Sequence, residues 1–139
     1  MLAIDQRILD GIVAHARRDH PDEACGIVAG PAGSDRPVRL IPMLNAARSM
    51  TFYEFDSQEY LTLYRQLEAA DEDPVVIYHS HTATEAYPSP TDVTLAGWPE
   101  AHYLLVSTRD PEQAEIRSFR IVDGVVTEEP VLATGPGEA

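Results

Sequence analysis

The sequence predicts a single α+β domain in which two long helices and one short helix pack on a central sheet. Two kinds of apolar pattern predict this fold: helical stripes in two long segments, and short β-branched runs elsewhere. A length of 139 residues suits one domain with its own core, and 44% hydrophobic with 24% charged residues is typical of a soluble globular chain. No internal repeat or linker interrupts the sequence, so we expect one folding unit.

The first half of the chain is predicted to hold one helix and three strands. Residues 4–18 carry an apolar stripe at helical spacing, formed by Ile4, Ile8, Leu9, Ile12, Val13 and Ala16. Small apolar residues at 24–30 predict the first strand. The remaining elements are predicted as a turn at 31–37, strands at 38–43 and 50–55, and a polar loop at 45–49.

The second half is predicted to begin with a helix at Asp56, where Glu59 follows three residues later as in a capping box. The expected buried face of this helix is Tyr60, Leu61, Tyr64 and Leu67. A β-branched run at 74–78 predicts a buried strand. The later elements are predicted as a short helix at 90–97 and strands at 102–107, 114–122 and 125–132. The last two strands are expected to join at a hairpin turn, Asp123-Gly124. Residues 133–139 are predicted to be a disordered tail, so the domain is expected to span residues 1–132.

Charge and cysteine content exclude several functions. The formal net charge of −13 argues against a nucleic-acid partner, because phosphate binding needs clustered cations. All ten basic residues are arginine, which excludes Schiff-base chemistry on lysine. Cys25 is the only cysteine, so an intrachain disulfide and a cysteine-rich zinc site are excluded. No apolar run reaches the roughly 18 residues of a membrane span, and the N-terminus lacks signal-peptide features. We therefore expect a cytoplasmic protein with no membrane partner.

The strongest chemical motif is Tyr78-His79-Ser80-His81, which continues the strand predicted at 74–78. Side chains alternate between the two faces of a strand, so His79 and His81 point to one face and Ser80 to the other. Two imidazoles on one face can reach a single ion. The pattern predicts a metal site, although paired histidines on a half-buried strand often only pack or form hydrogen bonds.

A third ligand is expected soon after the histidines, because a catalytic zinc usually takes three protein ligands. The candidates are Asp92 and Glu85. Asp92 is better placed, because the compact spacer 82–88 lets a helix start fold back beside the strand end. Ser89 at the N-cap and Pro90 at the first helical position also predict a simple helix cap. The two interpretations are compatible, since Ser89 can cap the helix and still aim its hydroxyl at the site.

Amide hydrolysis also needs a group that takes up and returns a proton, and the sequence has no His-Glu-x-x-His motif. Glu23 is the candidate, because it comes just before the strand predicted at 24–30. A carboxylate at the end of a sheet can lean over a neighbouring metal. A solvated loop carboxylate beside Asp22 is the commoner fate of such a residue.

Other reactive residues predict no second site. Cys25 lies in an apolar run with no histidine paired to it, so we do not expect a nucleophile. His15 and His20 are expected at the surface, and His102 at the start of a strand. A serine hydrolase is excluded because Gly-x-Ser-x-Gly is missing. A zinc deaminase is excluded because its Pro-Cys-x-x-Cys signature needs two cysteines.

The chain closely resembles the JAMM (MPN-plus) metallopeptidase family. The resemblance is carried by Glu23 in Pro21-Asp-Glu-Ala-Cys-Gly-Ile-Val-Ala-Gly30 and by His-x-His-x7-Ser-x2-Asp at 79–92, and it spans nearly the whole chain. It implies a mixed, curved sheet flanked by helices, similar to that of cytidine deaminases. The implied roles are zinc binding by His79, His81 and Asp92 with water as the fourth ligand, general acid/base catalysis by Glu23, and hydrogen bonding to a tetrahedral oxyanion by Ser89.

The small size and lack of insertions resemble the compact bacterial branch, whose members act on the C-terminus of small ubiquitin-like sulfur-carrier proteins. The resemblance implies cleavage after the carrier's C-terminal glycine and release of cysteine in cysteine biosynthesis. The alternatives are another ubiquitin-like conjugate as substrate, or a non-catalytic scaffold. A scaffold is disfavoured because every ligand position and Glu23 are present. The sequence leaves a homodimer open, and two histidines with one carboxylate also suit iron or manganese.

Two loops are expected to surround the site. The carrier's extended tail is expected to add to a sheet edge bordered by residues 45–55. Thr82 follows the second histidine where many family members have proline, so we expect a more mobile spacer at 82–88.

Overall fold

A computed structural model describes residues 1–135. The elements follow one another as β1 (Leu2–Asp5), α1 (Gln6–Asp19), β2 (Cys25–Pro31), β3 (Arg39–Met43), α2 (Ser57–Ala70), β4 (Glu72–His81), α3 (Pro90–Leu95), β5 (His102–Ser107), β6 (Glu115–Val122), β7 (Val125–Glu129) and β8 (Val131–Thr134). The predicted α+β class, with two long helices and a short one, is confirmed. Within these residues, none of the helices has the length and apolar character needed to cross a bilayer.

Six strands form one mixed sheet in the order β3-β2-β4-β5-β6-β7. Only β4 and β5 are parallel within this sheet, and the remaining neighbours are antiparallel. The predicted turn at Asp123-Gly124 joins β6 and β7, and both turn residues have positive φ, as a type I′ hairpin requires. The strand β4, which carries the histidines, lies in the middle of the sheet between β2 and β5.

The two faces of the sheet bury separate cores. One core packs against α1 and contains Leu9, Ile12, Val28, Val76, Tyr78 and Leu104. The other packs against α2 and contains Ile27, Leu63, Leu67, Ile77, Tyr103 and Phe119. Alternation along β4 sends Val76 and Tyr78 to the first core and Ile77 to the second. His79 and His81 follow the parity of Ile77 and therefore lie on the α2 face.

Both ends of the chain differ from prediction. Ile4 was assigned to the first helix, but it lies in β1, which pairs in parallel with β8. Asp5 then caps α1 through a hydrogen bond from the Arg7 amide at 2.7 Å. The single strand predicted at 125–132 divides at Pro130, whose carbonyl accepts a hydrogen bond from the Leu2 amide. Because proline has no N–H to continue the ladder, the chain leaves the large sheet there.

The predicted boundary of the tail at Ala133 falls inside β8, since Ala133 and Thr134 pair with Ile4 and Asp5. Residues 136–139 of the predicted tail lie outside the described residues.

The predicted strand at 50–55 is wrong. Only Phe55 forms a bridge, to Asn45, and the segment is otherwise an irregular loop. The Phe52 carbonyl and the Glu54 amide bond the side chain of Asn45 instead of a neighbouring strand. The side-chain amide of Asn45 therefore replaces a β-ladder in this segment.

The second helix begins as predicted but buries a narrower face. The Asp56 carboxylate caps the Glu59 amide at 2.9 Å, while the Glu59 carboxylate bonds the Leu44 amide rather than closing the capping box. Leu63 and Leu67 are the buried residues of α2. Leu61 and Tyr64, which were predicted to be buried, are among the exposed large apolar residues.

Candidate functional site

His79 and His81 lie at the end of β4, and both are buried. Cys25 of β2 lies opposite His79, and β5 continues beside both histidines on the other side. The Nε2 atoms of His79 and His81 are 3.3 Å apart. The alternation predicted from the sequence is thus confirmed, because both rings converge from one face of the strand.

Asp92 approaches the histidines from the first turn of α3. Its Oδ2 atom lies 3.1 Å from the Nε2 atoms of both His79 and His81. The predicted cap is present as a full capping box: the Asp92 amide donates to Ser89 Oγ at 3.1 Å, and the Ser89 amide donates to Asp92 Oδ2 at 2.8 Å. The helix cap therefore fixes the carboxylate that faces the two rings.

These three atoms fit a tetrahedral metal. Ligand atoms about 2.0–2.1 Å from a tetrahedral zinc lie about 3.3 Å from one another. The distances between the two imidazole nitrogens and the Asp92 oxygen are 3.1–3.3 Å. Glu23 also has a carboxylate oxygen within 4.8 Å of the ligand nitrogens of both histidines. Glu23 and Asp92 are therefore both candidates for the third ligand, and the Asp92 oxygen has the tetrahedral spacing, 3.1 Å from both Nε2 atoms.

The two rings are held in different ways. The Nδ1 atom of His81 is 2.9 Å from the Glu85 carbonyl. A carbonyl can only accept, so Nδ1 carries the hydrogen, and Nε2 of the neutral ring keeps its lone pair for a metal. Among residues 1–135, His79 Nδ1 is buried without a hydrogen-bond partner. The ring of Tyr53 instead stacks on His79 with centroids 4.5 Å apart.

Glu85 was the other candidate for the third ligand, and its contribution comes from the backbone. Its carboxylate is exposed and lies 3.6 Å from Arg117. Hydrogen bonds to other segments hold the spacer 82–88, among them the bond from the Thr82 hydroxyl to the Met50 carbonyl at 3.1 Å. Proline at position 82 could not make that bond, so Thr82 links the spacer to the loop predicted to border the site.

Glu23 is buried rather than solvated, with 4% of its surface exposed. Burial raises its pKa to about 7, with the Asp92 carboxylate acting in the same direction and His81 opposing. Its position is fixed through the backbone. Its N–H donates to the Ser49 carbonyl at 2.8 Å, and the next amide, of Ala24, donates to Ser80 Oγ at 2.8 Å. Ser80, which points away from the histidines, therefore anchors the residue beside Glu23.

The Asp92 carboxylate and the two imidazoles influence one another: burial acts against the charged form of His81, but hydrogen bonds with Asp92 and with the Glu85 carbonyl raise its pKa. Burial opposes ionisation of Asp92, but hydrogen bonds with His79 and His81 hold its pKa well below its usual range. Burial lowers the pKa of His79. Asp92 is therefore charged beside a His79 that favours its neutral form, and those are the forms in which a carboxylate and an imidazole bind metals.

The remaining candidates behave as expected with one exception. Burial raises the pKa of Cys25 to about 12, so it is not poised as a nucleophile. His102 begins β5 as predicted, and His20 is exposed. The prediction that His15 lies at the surface is wrong: its side chain is buried, and its Nδ1 atom lies 2.7 Å from the Tyr78 hydroxyl, which satisfies it there. It lies in the α1 core, on the opposite face from the candidate site.

Sequence reasoning missed the specific contributions of Asn45, Tyr53 and Ser80. The position of Ser80 between two histidines predicts its direction but not its partner. Asn45 and Tyr53 lie in the loop at 44–56, and their contacts with Glu23 and His79 depend on long-range packing. No local pattern could have found them.

Comparison with known proteins supports the family resemblance. Residues 5–122 match the family model described as prokaryotic homologs of the JAB domain. The chain is 69% identical over 131 residues to the CysO-cysteine peptidase of Mycobacterium tuberculosis, covering 94% of this chain and 90% of that protein. It is 38% identical over 111 residues to the desampylase of Haloferax volcanii, covering 76% and 78% respectively.

A solved structure supports the fold in the same way. Protein DSY2949 from Desulfitobacterium hafniense has a TM-score of 0.84 and 31% identity, covering 97% of this chain and 94% of that chain. The family match includes Glu23, the two histidines, Ser89 and Asp92 within residues 5–122. The chain therefore belongs to the JAB/MPN family, as one of the prokaryotic homologues of the JAB domain.

Proposed function

We propose that the protein is a zinc-dependent peptidase that cleaves after the C-terminal glycine of a small ubiquitin-like sulfur-carrier protein and releases cysteine. The observation that carries this proposal is the 69% identity to a CysO-cysteine peptidase over 94% of the chain. The convergence of two histidines, Asp92 and Glu23 supports hydrolysis as the reaction. Release of cysteine would place the enzyme in cysteine biosynthesis. The cytoplasmic location and a homodimer stay predictions from the sequence.

We propose His79, His81 and Asp92 as the zinc ligands. Their donor atoms lie 3.1–3.3 Å apart, as a tetrahedral ion requires. When bound, zinc would supply Lewis-acid polarisation of the scissile carbonyl and lower the pKa of water toward neutrality. Iron or manganese would also accept two nitrogens and one oxygen, so metal content is part of the test.

Glu23 is proposed to move the proton. As a carboxylate it takes a proton from the water that attacks the carbonyl carbon of the carrier's last glycine. When the C–N bond breaks, Glu23 returns that proton to the leaving nitrogen. The glycine carboxylic acid formed in this way passes its remaining proton to the free amine, so the products are a carrier ending in a glycine carboxylate and an amino acid with an ammonium group, and atoms and charge balance. In the metal-free fold, burial raises the pKa of Glu23 to about 7, so this carboxyl can hold or release a proton near neutral pH.

Ser89 is proposed to stabilise the tetrahedral oxyanion. Its oxygen accepts a hydrogen bond from the Asp92 amide, which leaves the hydroxyl hydrogen available for donation. A donor aimed at developing negative charge lowers the barrier only if it is held in place. The capping box holds Ser89 in this way, so one local structure supports a ligand and an oxyanion donor together.

The experiment is mass spectrometry of carrier proteins extended by cysteine, before and after incubation with zinc-loaded protein. We expect loss of one cysteine residue with the wild type and an unchanged mass with Glu23→Gln at equal zinc content. A carrier ending at glycine is the matched substrate control. A wild-type protein that holds zinc but leaves every cysteine adduct intact would contradict the proposal. Cleavage of only protein conjugates would identify a different ubiquitin-like substrate, and no cleavage of either would indicate a scaffold.

A further inference from the structure

The side-chain amide of Asn45 makes four hydrogen bonds near the candidate site. It lies in the loop between β3 and α2, with 5% of its surface exposed. Its amide nitrogen donates to the carbonyls of Glu23 at 2.9 Å and Phe52 at 3.0 Å. Its amide oxygen accepts from the N–H groups of Ala47 at 3.0 Å and Glu54 at 3.1 Å. These four bonds use both donors and both acceptor positions of the amide.

One of these bonds reaches the backbone of Glu23, where the sheet itself gives no support. The strand β2 begins at Cys25, so Glu23 stands outside the ladder. The same loop also accepts the Glu23 N–H, through the Ser49 carbonyl at 2.8 Å. The loop therefore holds the carbonyl and the N–H of the residue whose carboxylate faces the histidines. A shift of this peptide would displace the carboxylate directly.

We infer that Asn45 is a positioning residue for Glu23, which couples the loop at 44–56 to the proton-transferring carboxylate. This inference rests on the proposed function. The loop carries a second contact with the site, the stacking of Tyr53 on His79. The Asn45 side chain forms hydrogen bonds with the backbone of Phe52 and Glu54, the residues on either side of Tyr53, and also with the carbonyl of Glu23. A displacement of the Asn45 side chain is transmitted to the peptide of Glu23 through this hydrogen bond.

The sharpest variant is Asn45→Asp. It keeps the shape and an oxygen that can accept from Ala47 and Glu54, and it removes the two N–H donors to Glu23 and Phe52. Asn45→Ala is the second variant, which keeps the test available if a buried carboxylate prevents folding. The matched control is Thr82→Val, which removes a 3.1 Å hydrogen bond to the Met50 carbonyl of the same loop without touching Glu23.

The measurements are kcat and KM on the cysteine-extended carrier, zinc content, and hydrogen exchange of the segment 22–25. For Asn45→Asp we expect kcat to fall roughly 10- to 100-fold with KM changed by no more than about twofold. Zinc content should match the wild type, because the three ligand side chains are unaltered. Exchange at 22–25 should accelerate. Thr82→Val should keep kcat within about twofold and leave exchange at 22–25 unchanged.

Three results would overturn the inference: an unchanged kcat in both Asn45 variants, a rise in KM alone, or an equal loss of kcat in Thr82→Val. Failure of the proposed function looks different, because the wild type would then cleave no carrier. The role of Asn45 in holding Glu23 is then tested by hydrogen exchange at residues 22–25 alone. Unchanged exchange at 22–25 in Asn45→Asp and Asn45→Ala would show that Asn45 does not hold Glu23.

Discussion

Glu23→Gln should make the metal-free protein more stable at neutral and alkaline pH while it abolishes turnover. Only 4% of the surface of Glu23 is exposed, and this burial raises its pKa from the ordinary value of 4.5 to about 7. An unfolded chain leaves this carboxyl in water, where it ionises at its ordinary pKa. The folded state therefore holds a proton on Glu23 that the unfolded state releases, and folding is penalised as the pH rises.

The size of this effect follows from the two pKa values. At about 1.4 kcal/mol for each pKa unit, the difference between 4.5 and about 7 corresponds to about 3 kcal/mol. Below the unfolded value, Glu23 is protonated in both states and glutamine resembles it closely, so the two proteins should be equally stable. The advantage of Glu23→Gln should grow between pH 4.5 and about 7 and become constant above that range.

The assay is urea denaturation of chelator-treated protein at several pH values from about 4 to about 8.5. Glu100→Gln is the matched control, because Glu100 is exposed and its substitution removes the same charge from an acidic protein. We expect the control to stay within about 0.5 kcal/mol of the wild type at each pH. The reasoning would be refuted by a stability difference for Glu23→Gln that does not vary with pH, or by a less stable variant at alkaline pH.

Three further predictions concern the ligands, the cap and the core. Replacing His79 or Asp92 by alanine should abolish stoichiometric zinc binding, measured by elemental analysis, because each change removes one of three converging donors; wild-type zinc content would contradict this assignment. Ser89→Ala should keep zinc, lower kcat roughly 10²-fold and lower the unfolding free energy by about 1 kcal/mol; equal kinetics would leave Ser89 as a cap alone. Gly26→Ala should destabilise the fold by about 1–3 kcal/mol in urea denaturation, because a Cβ there would overlap the ring of Tyr78; an unchanged midpoint would contradict this packing.

The sequence could predict the parts of the site that depend on local geometry. Strand alternation placed His79 and His81 on one face and Ser80 on the other, and the structure has that arrangement. The cap formed by Ser89 and Asp92 was predictable for the same reason, since capping links residues three apart. Both features follow from the periodicity of a single element. Neither requires knowledge of which segments meet in the fold.

The errors arose where distant segments decide the local structure. Ile4 fits a helical stripe, but pairing with Ala133 at the other end of the chain makes it part of a strand. The segment 50–55 has the aromatic content of a strand, yet its backbone groups bond the side chain of Asn45. The apolar pattern reports the burial of Ile4 correctly, whereas in 50–55 the aromatic residues are only partly buried and Met50 is exposed. It cannot report whether a ladder, a helix or a side-chain amide satisfies the backbone.

The raised pKa of Glu23 results from burial, and distant segments of the chain cause that burial. From the sequence, where Glu23 follows Asp22, a solvated carboxylate in a loop is the commoner expectation for Glu23. The loop at 44–56 and the ends of β4 and α3 enclose it instead, and that enclosure raises its pKa to about 7. A more exposed Glu23 would stabilise the metal-free fold but would ionise too readily to return a proton near neutral pH. The cost in stability and the proposed catalytic competence therefore have one physical cause, which is why a single substitution at position 23 should reverse both.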